Sequence, residues 1–561
     1  MNSLPQEIYD QIGTLLRGPD FDRPALATIS RRWQAMVERR TFRHIRLRSN
    51  DLDRFQAIIH KDRRRYVREI EYVIILPAYS DQDRCRFERD DDRRANDEAF
   101  TVAIHRLFHV LQSWDVNDGY VCLTIMDVHS ISDHPFLCHS SSLWDPNQSG
   151  RCKYADDADD DADDDYRRRR RWTIVDLCDW RHRFSFLRLL RPSMLPLVPA
   201  VRDFWTRRTT RNLCDRVPIE IAAKLPNVRR ATWLMNDWSI RYLALRRTHR
   251  RDLTQAVTEV LPQSSSLEDL SLNMSFNDCY WDLQNFSAGN LHPDNLTCDT
   301  LSDAIRTATS HMRRLRELRI SGEVDTFLLR PGPSAHSFEP YWQNIERLSV
   351  LFAPRRPSGG NYFLNREHPI QVADTPLEVE MPPGYKQSEE EEVAAETSFS
   401  VHAESNPSVH SGLPWHSTMD VVPDNSLMPL IKAFGEACLQ MPRLEAAELW
   451  THVPASTGLD RSAGPDKGKS SWGIWYLSPG STVHGFGRKR DPAFDEDIDQ
   501  RRLIWDVKDW RPEEDLQSLL RNIGRQEYGN HLVEKFIDSW ESVYKDRWIE
   551  MYNKAQASNP S

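Results

Sequence analysis

Residues 267–272 read Leu-Glu-Asp-Leu-Ser-Leu, and this phrase decides the fold class of the chain. The same spacing, with conservative replacements, returns as Leu-Arg-Glu-Leu-Arg-Ile at residues 315–320 and as Ile-Glu-Arg-Leu-Ser-Val at residues 345–350. Alternation of apolar and polar residues at the end of each copy is typical of a short strand with one buried face. The three copies therefore predict similar strands within an α/β protein.

Looser copies and helical patterns extend this arrangement along the chain. The copies lie at residues 42–47, 70–75, 121–125, 228–234 and 444–449, and apolar residues at helical spacing lie at 52–60, 99–111, 242–261 and 301–312. A strand followed by a helix, repeated at irregular intervals, predicts a leucine-rich-repeat-like α/β solenoid, here over residues 49–353. A conventional α/β domain with parallel strands has the same local pattern and remains the alternative.

Two insertions interrupt the repeated pattern. In the first, at about residues 152–171, eight aspartates lie within Asp156–Asp165 and five arginines follow at Arg167–Arg171. The second, residues 354–425, is rich in Pro, Ser, Glu and Gly. Both compositions predict disorder, because they offer too little apolar surface for a core. The arginine run would suit either a nuclear localisation patch or neutralisation of the acidic run.

The C-terminal part, residues 426–561, is rich in tryptophan. Residues 503–507 predict a final strand, and apolar residues at helical spacing follow it. They are Leu516, Leu519, Leu520, Leu532, Phe536, Trp540 and Tyr544. This pattern predicts a last repeat and an aromatic-rich cap over the end of the array, with an exposed aromatic binding surface as the alternative.

The first 42 residues predict a compact group of short helices. Pro5 suits the first position of a helix, and Gly18-Pro19 would end that helix. A second helical segment runs from Leu26 towards Val37, with a bend near Ser30, and Phe42 closes the group. Such a unit carries more apolar surface than it can hide, which predicts docking on a partner.

The residues of this group resemble the F-box, the module that joins a substrate receptor to a cullin-type ubiquitin ligase. The matching residues are Leu4, Pro5, Glu7, Ile8, Ser30, Arg31 and Trp33. The resemblance implies a three-helix F-box over residues 1–48 that binds a Skp-type adaptor. The implied adaptor-binding residues are Leu4, Pro5, Ile8, Ile12, Leu15, Leu16, Leu26 and Ile29, and the implied F-box core is Trp33, Val37 and Phe42. The alternative is an ordinary helical hairpin that caps the repeats.

A second resemblance concerns the C-terminal phrase Leu-Ile-Trp-Asp-Val-Lys-Asp-Trp-Arg-Pro at residues 503–512. Together with the N-terminal residues, it resembles uncharacterised F-box proteins of filamentous fungi, a family without an assigned substrate. This resemblance therefore implies a receptor but names no target, and the substrate-binding residues stay unknown.

Composition and motifs exclude several other classes. The net charge is −10, so no global basic field points to nucleic acid. No run of eighteen apolar residues predicts a membrane span, and the N-terminus has no secretory pattern. The nine cysteines are scattered without a CxxC pair, which favours a reducing compartment. The group Cys122, His129, His134, Cys138 and His139 fits no standard zinc spacing, and we expect no metal or cofactor.

The sequence therefore predicts a non-catalytic receptor subunit rather than an enzyme. Its expected partners are a Skp-type adaptor, through it a cullin and a RING subunit, and an unknown target protein. The expected location is the cytoplasm, the nucleus or both. The rival hypotheses are a repeat scaffold without ligase assembly and an enzyme with a concave pocket of convergent ionisable groups.

Overall fold

A computed structural model describes residues 5–15, 23–80, 83, 86–115, 119–133, 181–182, 184–207, 209–236, 242–275, 289–292, 298–330, 342–365, 381–386, 388–392, 421–454, 469–482 and 496–537. Its helices are α1 (Gln6–Leu15), α2 (Arg23–Ile29), α3 (Arg31–Thr41), α4 (Leu52–Ile58), α5 (Lys61–Arg64), α6 (Asp90–Leu111), α7 (Arg216–Ala222), α8 (Leu243–Glu259), α9 (Thr300–Ser310), α10 (Leu427–Leu439), α11 (Glu514–Arg521) and α12 (Arg525–Tyr528).

Its strands are β1 (His44–Arg48), β2 (Glu69–Leu76), β3 (Val121–Ser130), β4 (Phe186–Leu187), β5 (Val201–Thr206), β6 (Asn212–Leu213), β7 (Arg230–Asn236), β8 (Asp269–Ser275), β9 (Glu317–Gly322), β10 (Arg347–Phe352), β11 (Phe363–Asn365), β12 (Val421–Pro423), β13 (Ala446–Pro454), β14 (Lys469–Leu477), β15 (Arg501–Asp506) and β16 (Leu532–Phe536).

The protein is an α/β protein with one large, mostly parallel sheet of twelve strands, and no closed barrel is found among the described residues. The strand order is β1-β2-β3-β5-β7-β8-β9-β10-β13-β14-β15-β16, which follows the order of the chain. A doubly wound sheet would reverse its strand order at a switch point, and this sheet does not. Two small pairs, β4–β6 and β11–β12, lie outside it.

The chain divides into two compact units. The first contains the described residues among 1–213 and 220–231, and the second contains those among 214–219 and 232–537. The division falls near the middle strands of the main sheet, so each unit is described by itself.

The first unit is built on parallel strands whose apolar residues align across the sheet. Ile70 of β2 lies opposite Leu123 of β3, and Tyr72 lies opposite Ile125. All four side chains are buried. The Tyr72 hydroxyl donates to the carbonyl of Ala103, at 2.9 Å, which joins α6 to this layer. Alternating side chains in register give each strand one buried face, as the sequence pattern predicted.

The second unit repeats this arrangement. Leu270, Leu318, Leu348 and Ala447 form one buried row across β8, β9, β10 and β13. These strands are parallel, whereas β14 runs antiparallel to both of its neighbours and β16 is parallel to β15. The three copies of the opening phrase are therefore adjacent strands of one sheet.

The predicted strands and most predicted helices are confirmed. Each looser copy contains a strand, and the patterns at 52–60, 99–111, 242–261 and 301–312 contain α4, α6, α8 and α9. Helix α6 begins earlier than predicted, at Asp90, because Asp90–Asp92 place negative charge at its N-terminus.

Two predictions about the C-terminal part are wrong. Residues 503–507 belong to β15, which is not the last strand, because β16 follows it. Leu532 and Phe536 lie in β16 rather than in a helix. A separation of four residues places two side chains on the same face of a helix and also on the same face of a strand. The spacing of Leu532 and Phe536 therefore does not distinguish a helix from a strand. Trp540, Tyr544 and Trp548 lie outside the described residues.

The predicted insertions are only partly described. Asp156–Asp165 and Arg167–Arg171 lie outside the described residues. Within 354–425, strands β11 and β12 pair antiparallel, and the remainder is described only in part. No helix in the described parts of the chain is long and apolar enough to span a membrane.

Candidate functional site

The N-terminal helices pack around a tyrosine and a tryptophan. Tyr9 of α1 is 2% exposed, and its ring meets that of Trp33 of α3 edge to face, with centroids 5.4 Å apart. Met36 of α3 is also buried. The sequence pattern pointed to Ile8 and Ile12 and missed Tyr9. A helical face shifted by one residue, which is about 100° around the helix, would have included Tyr9.

A serine separates the second and third helices. Helix α2 ends at Ile29, and the Ser30 side chain accepts a hydrogen bond from the backbone N–H of Trp33 at 3.4 Å. Serine suits this position because its hydroxyl oxygen satisfies an N–H that the helix leaves unpaired. The bend predicted near Ser30 is thus confirmed as a break between two helices.

Helix α3 is attached to the elements on either side of it. Arg39 pairs with Asp10 of α1, and Glu38 pairs with Arg63 of α5 at 2.7 Å. The Arg63 guanidinium also lies over the Phe42 ring, 5.2 Å from its centroid. Burial would raise the pKa of Glu38, but hydrogen bonds from Arg63 and Gln34 outweigh it and lower that pKa. Glu38 therefore stays ionised and holds α3 against α5.

The residues implied to bind an adaptor differ in exposure. Ile29 is 60% exposed and Pro5 is exposed, whereas Ile8, Ile12 and Leu26 are half-buried. Leu4, Leu16 and the side chain of Leu15 lie outside the described residues. The three residues implied to form the F-box core, Trp33, Val37 and Phe42, are half-buried. Ile29 follows Leu26 by three positions, so the two share one side of α2.

A second candidate is a buried charged network in the first unit. The Arg211 guanidinium pairs with Glu88 and donates to both oxygens of Asp133, at 2.6 and 2.9 Å. Tyr79 donates its hydroxyl hydrogen to Glu88, at 2.7 Å, and accepts from Arg211 at 3.1 Å. Burial opposes ionisation of Asp133, but Arg211 outweighs it and lowers the pKa of Asp133 to about 2. Ionised partners at these distances form a structural clamp.

A third candidate is a pair of carboxylates in the second unit. The backbone N–H of Asp299 donates to the Asp325 carboxylate at 3.2 Å, and Arg250 pairs with Asp299 at 2.5 Å. Burial and the neighbouring Asp299 raise the pKa of Asp325 to about 7. Both carboxylates also accept hydrogen bonds from backbone N–H groups, Asp299 from Ser302 and Asp325 from Phe327. They serve as caps for the helical turns that follow them.

The two described residues of the group drawn from the sequence as a zinc site lie far apart. Cys122 and His129 both lie on β3, seven residues apart, which is about 23 Å along a strand. His129 is engaged with Asp127 at 2.8 Å, and burial raises the pKa of Cys122 to about 12. His134, Cys138 and His139 lie outside the described residues. Among the side chains that are described, no three His, Cys, Asp or Glu residues form a metal-binding group.

Comparison with known proteins adds no relative. No protein-family model matches the chain, and no curated protein matches it. Its function must therefore be inferred from its own residues.

Proposed function

We propose that this chain is the substrate receptor of an SCF-type ubiquitin ligase. In this proposal, α1–α3 form an F-box that binds a Skp-type adaptor, and the sheet belongs to a leucine-rich-repeat-like solenoid that binds a target protein. The observation that carries the proposal is that Ile29, one of the residues that the F-box resemblance assigns to adaptor binding, is 60% exposed beside half-buried Leu26 on α2. Exposed isoleucine favours docking, because contact with a partner removes its apolar surface from water.

The attachment of α3 supports the same role. Glu38 and Phe42 both contact Arg63, so the N-terminal helices are held against α5 rather than on a flexible linker. A receptor needs this property, since the adaptor surface must stay at a fixed position relative to the target surface. The strand order supports the solenoid, because stacked units contact only their neighbours along the chain.

The proposed mechanism is positional and needs no catalytic residue in this chain. The adaptor would connect the receptor to a cullin, whose RING subunit and ubiquitin-conjugating enzyme perform the chemistry. The receptor's contribution is proximity, which raises the effective concentration of a target lysine near the charged enzyme. The complex would act in the cytoplasm, the nucleus or both.

The test compares two glutamate substitutions at equally exposed apolar residues. Ile29→Glu places a charge on the proposed adaptor surface, and Val102→Glu, at a residue 56% exposed on α6, is the control. We expect the adaptor affinity of Ile29→Glu to fall by about thirtyfold, as for a buried interface residue, and that of Val102→Glu to stay within about twofold. Equal adaptor binding by both variants would count against the proposal. Alanine at both Leu4 and Pro5 should likewise abolish adaptor binding while leaving the fold intact.

One observation also fits a second candidate, a non-catalytic repeat scaffold without ligase assembly. The contacts of α3 with α5 are those that a capping hairpin would make. In that case the chain would not bind the adaptor at all, and Ile29→Glu would leave every measured association unchanged. Adaptor binding by the unaltered chain excludes this candidate.

A further inference from the structure

A strongly basic stretch lies within an acidic protein. Residues 31–70 contain thirteen arginine and lysine residues but only five carboxylates, although the whole chain has a net charge of −10. Several of these arginines lie where the first strands begin. The backbone N–H of Arg68, just before β2, donates to the carbonyl of Arg43, just before β1, at 2.9 Å. The two side chains are both exposed at the same edge of the first unit.

A glycine makes room for one of these side chains. The Arg68 guanidinium lies against Gly119, where a Cβ atom would stand 2.8 Å from Nη1. The φ angle of Gly119 is +111°, a conformation that side chains with a Cβ rarely adopt. Arg68 donates a hydrogen bond to the carbonyl of Val67 at 2.9 Å. Its guanidinium is thus held beside the turn that precedes β3, and this hydrogen bond uses only one of its nitrogen atoms.

A β-bulge brings a third arginine to this edge. Val121 pairs with Val201, whereas Cys122 pairs with Asp203, so Arg202 is the extra residue between them. A bulge redirects the side chain of its extra residue. Here the Arg202 guanidinium lies 5.3 Å from the centroid of the Tyr120 ring, next to Gly119.

We propose that Arg43, Arg68 and Arg202, the basic edge, form a docking site for an acidic polypeptide segment rich in aspartate and glutamate. None of the three has a carboxylate partner among the residues that the structure describes. Two carboxylates adjacent to these arginines in sequence are already engaged, Glu69 with His44 at 2.7 Å and Asp203 with Arg230 at 2.7 Å. Guanidinium groups match carboxylates in both charge and planar geometry.

The aromatic neighbours favour a polypeptide over nucleic acid. Single-stranded nucleic acid is usually held by stacking its bases on aromatic rings. Tyr66 is only 9% exposed, with Arg39 and Arg65 over its ring, and Arg202 covers a face of Tyr120. The Tyr66 ring is therefore buried, and the Tyr120 ring, 37% exposed, already contacts a guanidinium group on one face. This inference stands whether or not the chain joins a ligase.

The test measures binding of the full chain to three fluorescein-labelled probes by fluorescence anisotropy at about 50 mM salt, where screening is weak. The probes are a glutamate-rich peptide, a glutamine-rich peptide of equal length and a single-stranded oligothymidylate. We expect binding of the glutamate-rich peptide only, lost at high salt. A chain of net charge −10 repels such a peptide at long range, so its binding requires a local site.

Two double variants with the same change in charge locate the site. Arg68→Gln with Arg202→Gln should weaken binding of the glutamate-rich peptide by about tenfold, the value of two exposed ion pairs. Arg313→Gln with Arg314→Gln, at exposed residues of the second unit, should change it by less than about twofold. Thermal melting of both variants checks that each remains folded.

Three results would overturn the proposal. They are failure of the unaltered chain to bind the glutamate-rich peptide, equal loss in the two double variants, and tighter binding of oligothymidylate than of the peptide. None of these results involves the adaptor, so failure here is distinguishable from failure of the proposed receptor function.

Discussion

Replacing Arg211 with methionine should reverse the pH dependence of stability in the first unit. The Arg211 side chain is 3% exposed, and it pairs with Glu88 and Asp133, whose side chains are 1% and 5% exposed. Methionine keeps much of the volume but removes the charge. Asp133 would then lie buried without its cation, with the Ser130 backbone N–H still donating to it. Glu88 would keep Tyr79 and Asn96 as donors and Arg181, 3.9 Å away, as a more distant ionic partner.

The expected loss of folding stability follows from the removal of one partner of a buried ion pair. Removing one member of such a pair typically destabilises a protein by about 3–5 kcal/mol, because the remaining charge stays buried and uncompensated. Asp133 and Glu88 are almost completely buried, so solvent screening reduces this figure little. We therefore expect a loss of about 4 kcal/mol at neutral pH.

We expect the free energy of unfolding to change with pH in opposite directions in the unaltered chain and in the Arg211→Met variant. In the unaltered chain the folded-state pKa of Asp133, about 2, lies below its ordinary value of 3.8. Its contribution is present above pH 3.8 and is lost as the pH falls towards 2. Without Arg211, burial dominates at Asp133 and raises its pKa above its unfolded value. The variant should therefore lose stability as the pH rises from about 4 to about 7.

The assay is urea-induced unfolding at several pH values, with Arg54→Met as the control. Arg54 is exposed on α4, so its replacement should change the free energy of unfolding by less than about 0.5 kcal/mol. The reasoning is refuted if Arg211→Met costs less than about 1 kcal/mol at neutral pH, or if its stability shows the same pH trend as the unaltered chain.

Two further predictions concern the second unit. Since the folded-state pKa of Asp325 is raised from 3.8 to about 7, its contribution to stability is present in acid and lost as the pH rises to that value. Asp325→Asn should therefore remove about 2–3 kcal/mol of pH dependence between pH 5 and 8, and an unchanged slope would contradict this. Gly473→Ala would place a Cβ atom 2.4 Å from Cβ of Trp450 and 2.9 Å from the Leu449 carbonyl oxygen, so it should lower stability by about 1–3 kcal/mol in thermal melting. Gly435→Ala is its control, because the nearest atoms there are movable side-chain ends of Leu519 and Leu520; equal melting points for the two variants would contradict the packing argument.

Local periodicity was sufficient to predict most of the sheet. Strands such as β8, β9 and β10 alternate apolar and polar residues clearly, with apolar side chains on one face and mainly serine, asparagine or arginine on the other. The small polar residues Ser271, Asn273 and Ser349 keep this period visible although they are buried as well. Strand β14 was missed because its residues do not alternate in this way; Trp472, Trp475 and Tyr476 are all buried, so both faces carry large aromatic side chains. Such a strand has no polar face to reveal its period.

The sites depend on contacts that are remote in sequence and on details of register. Arg211 and Glu88 are 123 positions apart, and nothing in either neighbourhood identifies the other. Arg202 lies at the basic edge only because a bulge shifts the register between β3 and β5. The net charge of the whole chain also concealed the basic stretch, since acidic residues elsewhere outnumber it. By contrast, the exposed Ile29 lies on a helix that the N-terminal residues did predict.

The central claim is tested most directly by the mass of a reconstituted complex. The full chain, of 65.6 kDa, is mixed with a Skp-type adaptor and the adaptor-binding part of a cullin and analysed by size exclusion with light scattering. The receptor account predicts a single species with the mass of a 1:1:1 complex, and its loss on Ile29→Glu substitution. Elution of the chain alone, at its own mass and apart from an adaptor–cullin complex, would contradict it.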